Sequence, residues 1–275
     1  MITKSYVIIA LCLLLTPLYA QADTKRLQSA INSKHRTPAY VERDRYRNPL
    51  KTLQLFDIQP HHTVVEIWPS GGWYTEILAP YLKKNGLLIA AHYASDDNQA
   101  SYRPTRRADF EKKMSAKKSV YGKVKITSLM FDESEGKLVK KAATPNSADR
   151  VVTFRAAHGM YFRNTLSPAF AHFFEILKPG GKLGFVQHQA DADQDWMSKN
   201  IGYIGRDYII AEALKAGFTL EAEGYFNRNP LDHKRHDNGV WQLPPALRGY
   251  ANEEDKAPYR AVGESDRMTL VFTKP

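Results

Sequence analysis

Three residues able to move a proton or grip an anion follow short β-branched or apolar runs. Arg155 and His158 come after Arg150-Val-Val-Thr-Phe154, and His188 comes after Lys182-Leu-Gly-Phe-Val-Gln187. A neutral imidazole is the usual group for taking a proton near pH 7. His158 is therefore the first candidate for a general base and His188 the second. The competing role for either is a bond to a loop carbonyl. Arg155 can hold an acidic group in a forked contact or pair with Glu66 or Asp132. A further stretch, Glu66-Ile-Trp-Pro-Ser-Gly-Gly72, leads from a strand-like run into a helix-like one. Glycine there lets backbone pass close to a ligand, and a helix start presents free N–H groups. In an open α/β sheet, ligands bind beyond the carboxyl ends of the strands, which is where all these residues fall.

The elements that must position them alternate. Thr63-Val-Val-Glu-Ile67, Leu87-Leu-Ile-Ala-Ala91, Lys123 to Leu129, Arg150 to Phe154 and Lys182 to Gln187 read as strands. Phe218 to Phe226 and Met268 to Thr273 complete a set of seven. Helical spacing recurs over Trp73 to Tyr81, after Ser167-Pro168, and over Arg206 to Ala216. Strands alternating with helices imply right-handed crossovers and a mostly parallel sheet, hence an α/β fold. Residues 23–60 form an N-terminal helical extension. The turn-rich segment 227–266, with Trp241, Leu243, Leu247 and Tyr250 to bury, is expected to cover the open end of the sheet.

Composition narrows the function. With 275 residues, 43% hydrophobic and 25% charged, the chain is globular in type and long enough for one large domain. One cysteine excludes a disulfide framework and any Cys-based zinc site. The net charge of +10 favours acidic ligands or anionic surfaces. The lysine pairs at 112–113, 117–118 and 140–141 lack interleaved aromatics, so nucleic acid is not expected. Asp191-Ala-Asp-Gln-Asp195 fails as a calcium loop, since Trp196 stands where glycine is needed. Lys4, the apolar run Tyr6 to Leu15 and the small residues at Ala20-Gln-Ala22 have the layout of a signal peptide. Residues 1–22 would then be removed, leaving an exported, periplasmic domain over 23–275 without a stable membrane anchor.

The set Val64-Val-Glu-Ile-Trp-Pro-Ser-Gly-Gly-Trp-Tyr-Thr-Glu-Ile-Leu-Ala79, Arg150-Val-Val-Thr-Phe154, Phe174-Glu-Ile-Leu-Lys-Pro-Gly-Gly-Lys182 and Ala213-Leu-Lys-Ala-Gly-Phe218 resembles the class I S-adenosylmethionine-dependent methyltransferases. With Asn229-Pro230 and Gly263-Glu-Ser-Asp-Arg-Met-Thr-Leu270, it is similar more narrowly to a bacterial family of predicted methyltransferases made with signal peptides. The resemblance implies a Rossmann-like seven-stranded sheet of order 3-2-1-4-5-7-6, its last strand antiparallel, and S-adenosylmethionine as cofactor. It places Glu66, Trp68, Ser70, Gly71, Gly72, His92, Asp132 and Phe154 at cofactor-binding positions. It also places Arg155 and His158, after the fourth strand, where the class makes its substrate and methyl-transfer contacts; with His188 they are the expected catalytic residues, acting on a small-molecule substrate. Trp68 and Ser70 stand at the first two positions of a Gly-x-Gly-x-Gly loop, and His92 stands where the class carries a carboxylate. Two other readings compete: a non-catalytic ligand-binding protein on this fold, and a metal-dependent hydrolase using His92, His158 and His188.

Overall fold

The computed structural model describes residues 23–275, so the expected signal peptide lies outside the described residues. Helix α1 (residues 23–31) and the short helices α2 (Pro38–Val41), α3 (Asp44–Arg47) and α4 (Pro49–Leu55) precede the sheet. There follow β1 (Thr63–Ile67), α5 (Thr75–Leu82), β2 (Leu87–His92), α6 (Tyr102–Ala116), α7 (Lys118–Tyr121) and β3 (Lys125–Ser128). A hairpin, β4 (Met130–Asp132) and β5 (Lys137–Lys140), leads into β6 (Ala148–Phe154), α8 (Ala157–Tyr161), α9 (Leu166–Ile176) and β7 (Leu177–His188). The chain closes with α10 (Arg206–Lys215), β8 (Thr219–Gly224), α11 (Glu253–Val262) and β9 (Arg267–Thr273).

Seven strands form one sheet in the order β3-β2-β1-β6-β7-β9-β8. Leaving out the β4–β5 hairpin, this is the expected 3-2-1-4-5-7-6, and β9 runs antiparallel to both β7 and β8. The hairpin itself was not anticipated, because its strands are short and lysine-rich. A second difference lies at Lys178-Pro-Gly-Gly181. The strand expected to start at Lys182 already begins at Leu177, so these residues belong to β7, whose pairing with β6 shifts register between Ala148 and Arg150.

Side chains alternate across the central strands, as a two-period pleat requires. Val65 and Ile67 face one layer with Phe170, Phe173 and Phe185, while Val64 faces the other with Phe56, Ile77 and Leu78. Burial on both faces explains the nearly uninterrupted apolar character of β1 and β2. Segment 227–266 lies over the carboxyl end of the sheet, where Val240 and Trp241 pack against the first layer. Among the described residues, no helix is long and apolar enough to cross a membrane.

Candidate active site

The turn after β1 sets the site. Trp68 continues the strand with an N–H bond to Ala91 O at 2.8 Å, then the backbone becomes left-handed at every second residue. The φ values are 44° at Trp68, 53° at Ser70 and 81° at Gly72. A non-glycine residue held there costs on the order of 1–3 kcal/mol. The path of a glycine loop thus persists although Trp and Ser occupy two of its three left-handed positions. The indole of Trp68 lies across the end of β2. Its Nε1–H donates to Leu129 O at 3.1 Å, just beyond β3, and its ring centroid is 5.1 Å from that of Tyr93.

The other expected cofactor contacts are committed inside the protein. Glu66 is 2% exposed and accepts from Thr75 Oγ1 at 2.6 Å, and burial pushes its carboxyl up to about 7. His92 is fully buried, donates from Nε2 to Ser70 O at 3.1 Å and accepts the Tyr93 N–H on Nδ1 at 2.8 Å. Because the Tyr93 amide can only donate and the Ser70 carbonyl only accept, His92 carries its proton on Nε2. Burial lowers its pKa to about 4. Gly71 O accepts from Tyr40 OH at 3.1 Å and from Lys113 Nζ at 2.8 Å. The face of Gly72 is covered by Phe110, 3.1 Å from where a Cβ would stand. Asp132 turns into its own hairpin, accepting from the Ser134 amide at 2.9 Å, and lines no part of the cleft.

A cleft of about 560 Å³ opens beyond β1, β6 and β7, and it brings together Trp68, Ser70, Phe154, Arg155, His158 and His188. Phe154 ends β6 and stacks on Tyr74 with ring centroids 3.5 Å apart. Arg155 extends the pairing of β6 with β7 through its N–H to Val186 O at 2.7 Å, then turns left-handed with φ 63°. His158 accepts on Nδ1 from Gln187 Nε2 at 3.2 Å, and that same Nε2 donates to Gly202 O at 2.8 Å. The Gly202 carbonyl fixes the Gln187 amide, and the amide fixes the imidazole. His158 therefore presents an N–H to its surroundings. Burial and the nearby Arg155 hold its pKa at about 4.

In this tautomer the free ring nitrogen of His158 donates, whereas the general-base role expected for it needs an acceptor there. His188 bonds Ser265 Oγ through Nδ1 and, among the described residues, has no hydrogen-bond partner on Nε2. Burial and Arg155 keep it neutral too. The two rings are 5.8 Å apart. His92, spent on Ser70 and Tyr93, does not join them. Among the described residues, no cluster of three metal-ligating side chains exists, which leaves the hydrolase reading without a ligand set.

Sequence reasoning missed much of the wall. Tyr93, Arg103, Arg106 and Arg163 line one side, and Trp241, Arg248 and Glu264 come from segment 227–266. Arg103 pairs with Asp97 at 3.0 Å and with Glu133. The run Tyr102-Arg-Pro-Thr-Arg-Arg107, which opens α6, the next helix after β2, was the available signal for the arginines of that wall.

No protein-family model and no curated protein matches the chain. Solved structures match its fold. A SAM-dependent methyltransferase from Aquifex aeolicus superposes with a TM-score of 0.56 at 11% identity, covering 92% of this chain and 98% of that one. The [4+2]-cyclase SpnF gives a TM-score of 0.54 at 15% identity, over 84% and 80% of the two chains. The CurJ carbon methyltransferase gives 0.50 at 12% identity, over 87% and 56%. The chain therefore has the class I methyltransferase fold.

Proposed function

We propose that the protein is an S-adenosylmethionine-dependent methyltransferase acting on a small molecule in the cleft beyond β1, β6 and β7. The observation that carries this reading is the left-handed path through Trp68, Ser70 and Gly72. Backbone strain of this kind persists where surrounding structure and function require it. Solved neighbours named as methyltransferases add support. We further propose that the protein works in the periplasm, on the strength of the signal-peptide pattern over residues 1–22.

The residues expected to hold the cofactor do not accommodate it in their present arrangement. The Trp68 ring reaches across to Leu129, Glu66 and His92 have their polar atoms engaged, and Gly71 O is taken twice. What the chain itself offers is orientation. Arg155 can hold an acidic group, the His158 N–H can donate, and His188 Nε2, without a hydrogen-bond partner among the described residues, is the other ring nitrogen free to meet a ligand. Aligning reactants is the main work that transfer of an already activated methyl group requires.

The Trp68 placement specifically favours a second reading, a non-catalytic ligand-binding protein on the same fold. The cyclase neighbour indicates that the fold hosts other chemistry. Calorimetric titration of the protein and its Trp68→Gly variant with S-adenosylhomocysteine separates the two. Methyltransferase function predicts binding to both, at least about 10-fold tighter in the variant, equivalent to roughly 1.4 kcal/mol. Absence of heat from both would leave the binding-protein reading standing.

A further inference from the structure

The cleft is short of negative charge. Arg106, Arg155 and Arg248 line it, and among the described residues no carboxylate pairs with any of them. Glu264 is the one acidic side chain on the wall. It is already shared by Arg43 Nε at 2.5 Å, Arg47 Nε at 3.0 Å and Arg267 Nη2 at 3.1 Å. One carboxylate thus faces four guanidinium groups once Arg155 is counted, and the Nη2 atoms of Arg43 and Arg47 are buried without a partner. The Arg155 side chain makes no hydrogen bond among the described residues. Unpaired charge in a low-dielectric site is expensive, and arginine offers a planar fork matched to carboxylate and phosphate oxygens.

We propose that the cleft binds an anionic small molecule through a carboxylate or phosphate group seated on Arg155, with the His158 N–H as a second donor and Arg106 and Arg248 closing from the rim. This rests on the reading that the cleft is the substrate site, but not on the identity of any methyl donor. It gives the ligand a chemical class: an acid or a phosphate ester rather than an amine or a neutral arene.

The test is thermal unfolding and calorimetry of the whole protein with inorganic phosphate and with succinate, against chloride at matched ionic strength. Either anion should raise the melting temperature beyond chloride, and the stronger of the two identifies the group preferred. Arg155→Gln should weaken that binding at least 10-fold. The same variant should melt about 2–4 °C higher than wild type without ligand, because it removes a cation from among like charges. A residue with a merely structural role would shift the melt the other way. Arg106→Gln, on the exposed rim, should weaken binding by a smaller factor and provides the test if Arg155→Gln does not fold. Equal stabilisation by phosphate, succinate and chloride, or unchanged anion affinity in both variants, would overturn the proposal. Anion binding without S-adenosylhomocysteine binding would retire only the methyltransferase reading, and the converse would retire only this one.

Discussion

The Nε1–H of Trp68 donates to the carbonyl of Leu129 at 3.1 Å, tying the end of β1 to the end of β3 across the intervening β2. The ring also meets Phe131 edge-on, with centroids 6.3 Å apart, and the Arg103 guanidinium sits 6.0 Å from its centroid. This single side chain therefore substitutes protein contacts for the empty path that a bare glycine would leave beside the loop.

Trp68→Phe keeps most of the ring contacts but removes the donor to Leu129. Loss of one such hydrogen bond should cost about 1 kcal/mol, read as a lower midpoint in urea unfolding with unchanged slope. A variant as stable as wild type would mean the bond contributes nothing to holding the ring.

Gly72→Ala should destabilise the fold by about 1–3 kcal/mol. The residue sits at φ 81°, and its Cβ would stand 3.1 Å from Phe110 and 3.4 Å from Thr75. Larger side chains such as Val at this position should impair folding itself. They cannot serve as clean probes of ligand approach. Unfolding curves superimposable on wild type would contradict this.

How much of this could be read from residues alone divides along a physical line. The strands were legible because β-branched runs buried on both faces leave little choice of conformation, although the early start of β7 at Leu177, through Lys178-Pro-Gly-Gly181, was not. The strand-end rule likewise placed Arg155, His158 and His188 on one cleft. Side-chain direction was not legible. His92 and Asp132 follow the right strands, yet one turns into the core and the other into its hairpin. The β4–β5 hairpin carries lysines with no strong strand pattern. Arg103, Arg248 and Glu264 come to the cleft from a helix and a late segment whose path only tertiary packing decides.

Acid should destabilise the protein earlier than carboxylate titration alone predicts. His62, His92 and His158 are each lowered to about 4, chiefly by burial. The unfolded chain takes up these protons near 6.5 while the folded chain does not. Stability therefore falls as pH drops from about 6.5 toward 4, by on the order of 1–3 kcal/mol per histidine. Glu66 opposes this as a single group. Melting temperatures measured from pH 7.5 to 4.5 should decline steadily, and a flat profile between 6.5 and 5 would contradict the assignment.

Glu66→Gln gives the opposite sign. The folded carboxyl is raised to about 7, so the native state holds a proton that the unfolded chain releases near 4.5. Its stabilising contribution is present below about pH 4.5 and is lost as pH rises through 7. The amide removes that dependence. The variant should gain about 1–3 kcal/mol over wild type at pH 8 and converge with it near pH 4.5. Equal destabilisation at both pH values would indicate that the ionised carboxylate is required.

The most direct measurement is a crystal structure of the protein grown with saturating S-adenosylhomocysteine. Methyl transfer in the cleft predicts the Trp68 indole withdrawn from Leu129, with the nucleoside lying along the left-handed loop and Arg155 still open to an anion. A ring unmoved on Leu129, with no nucleoside beside it at that concentration, would contradict methyl transfer as the activity of this fold.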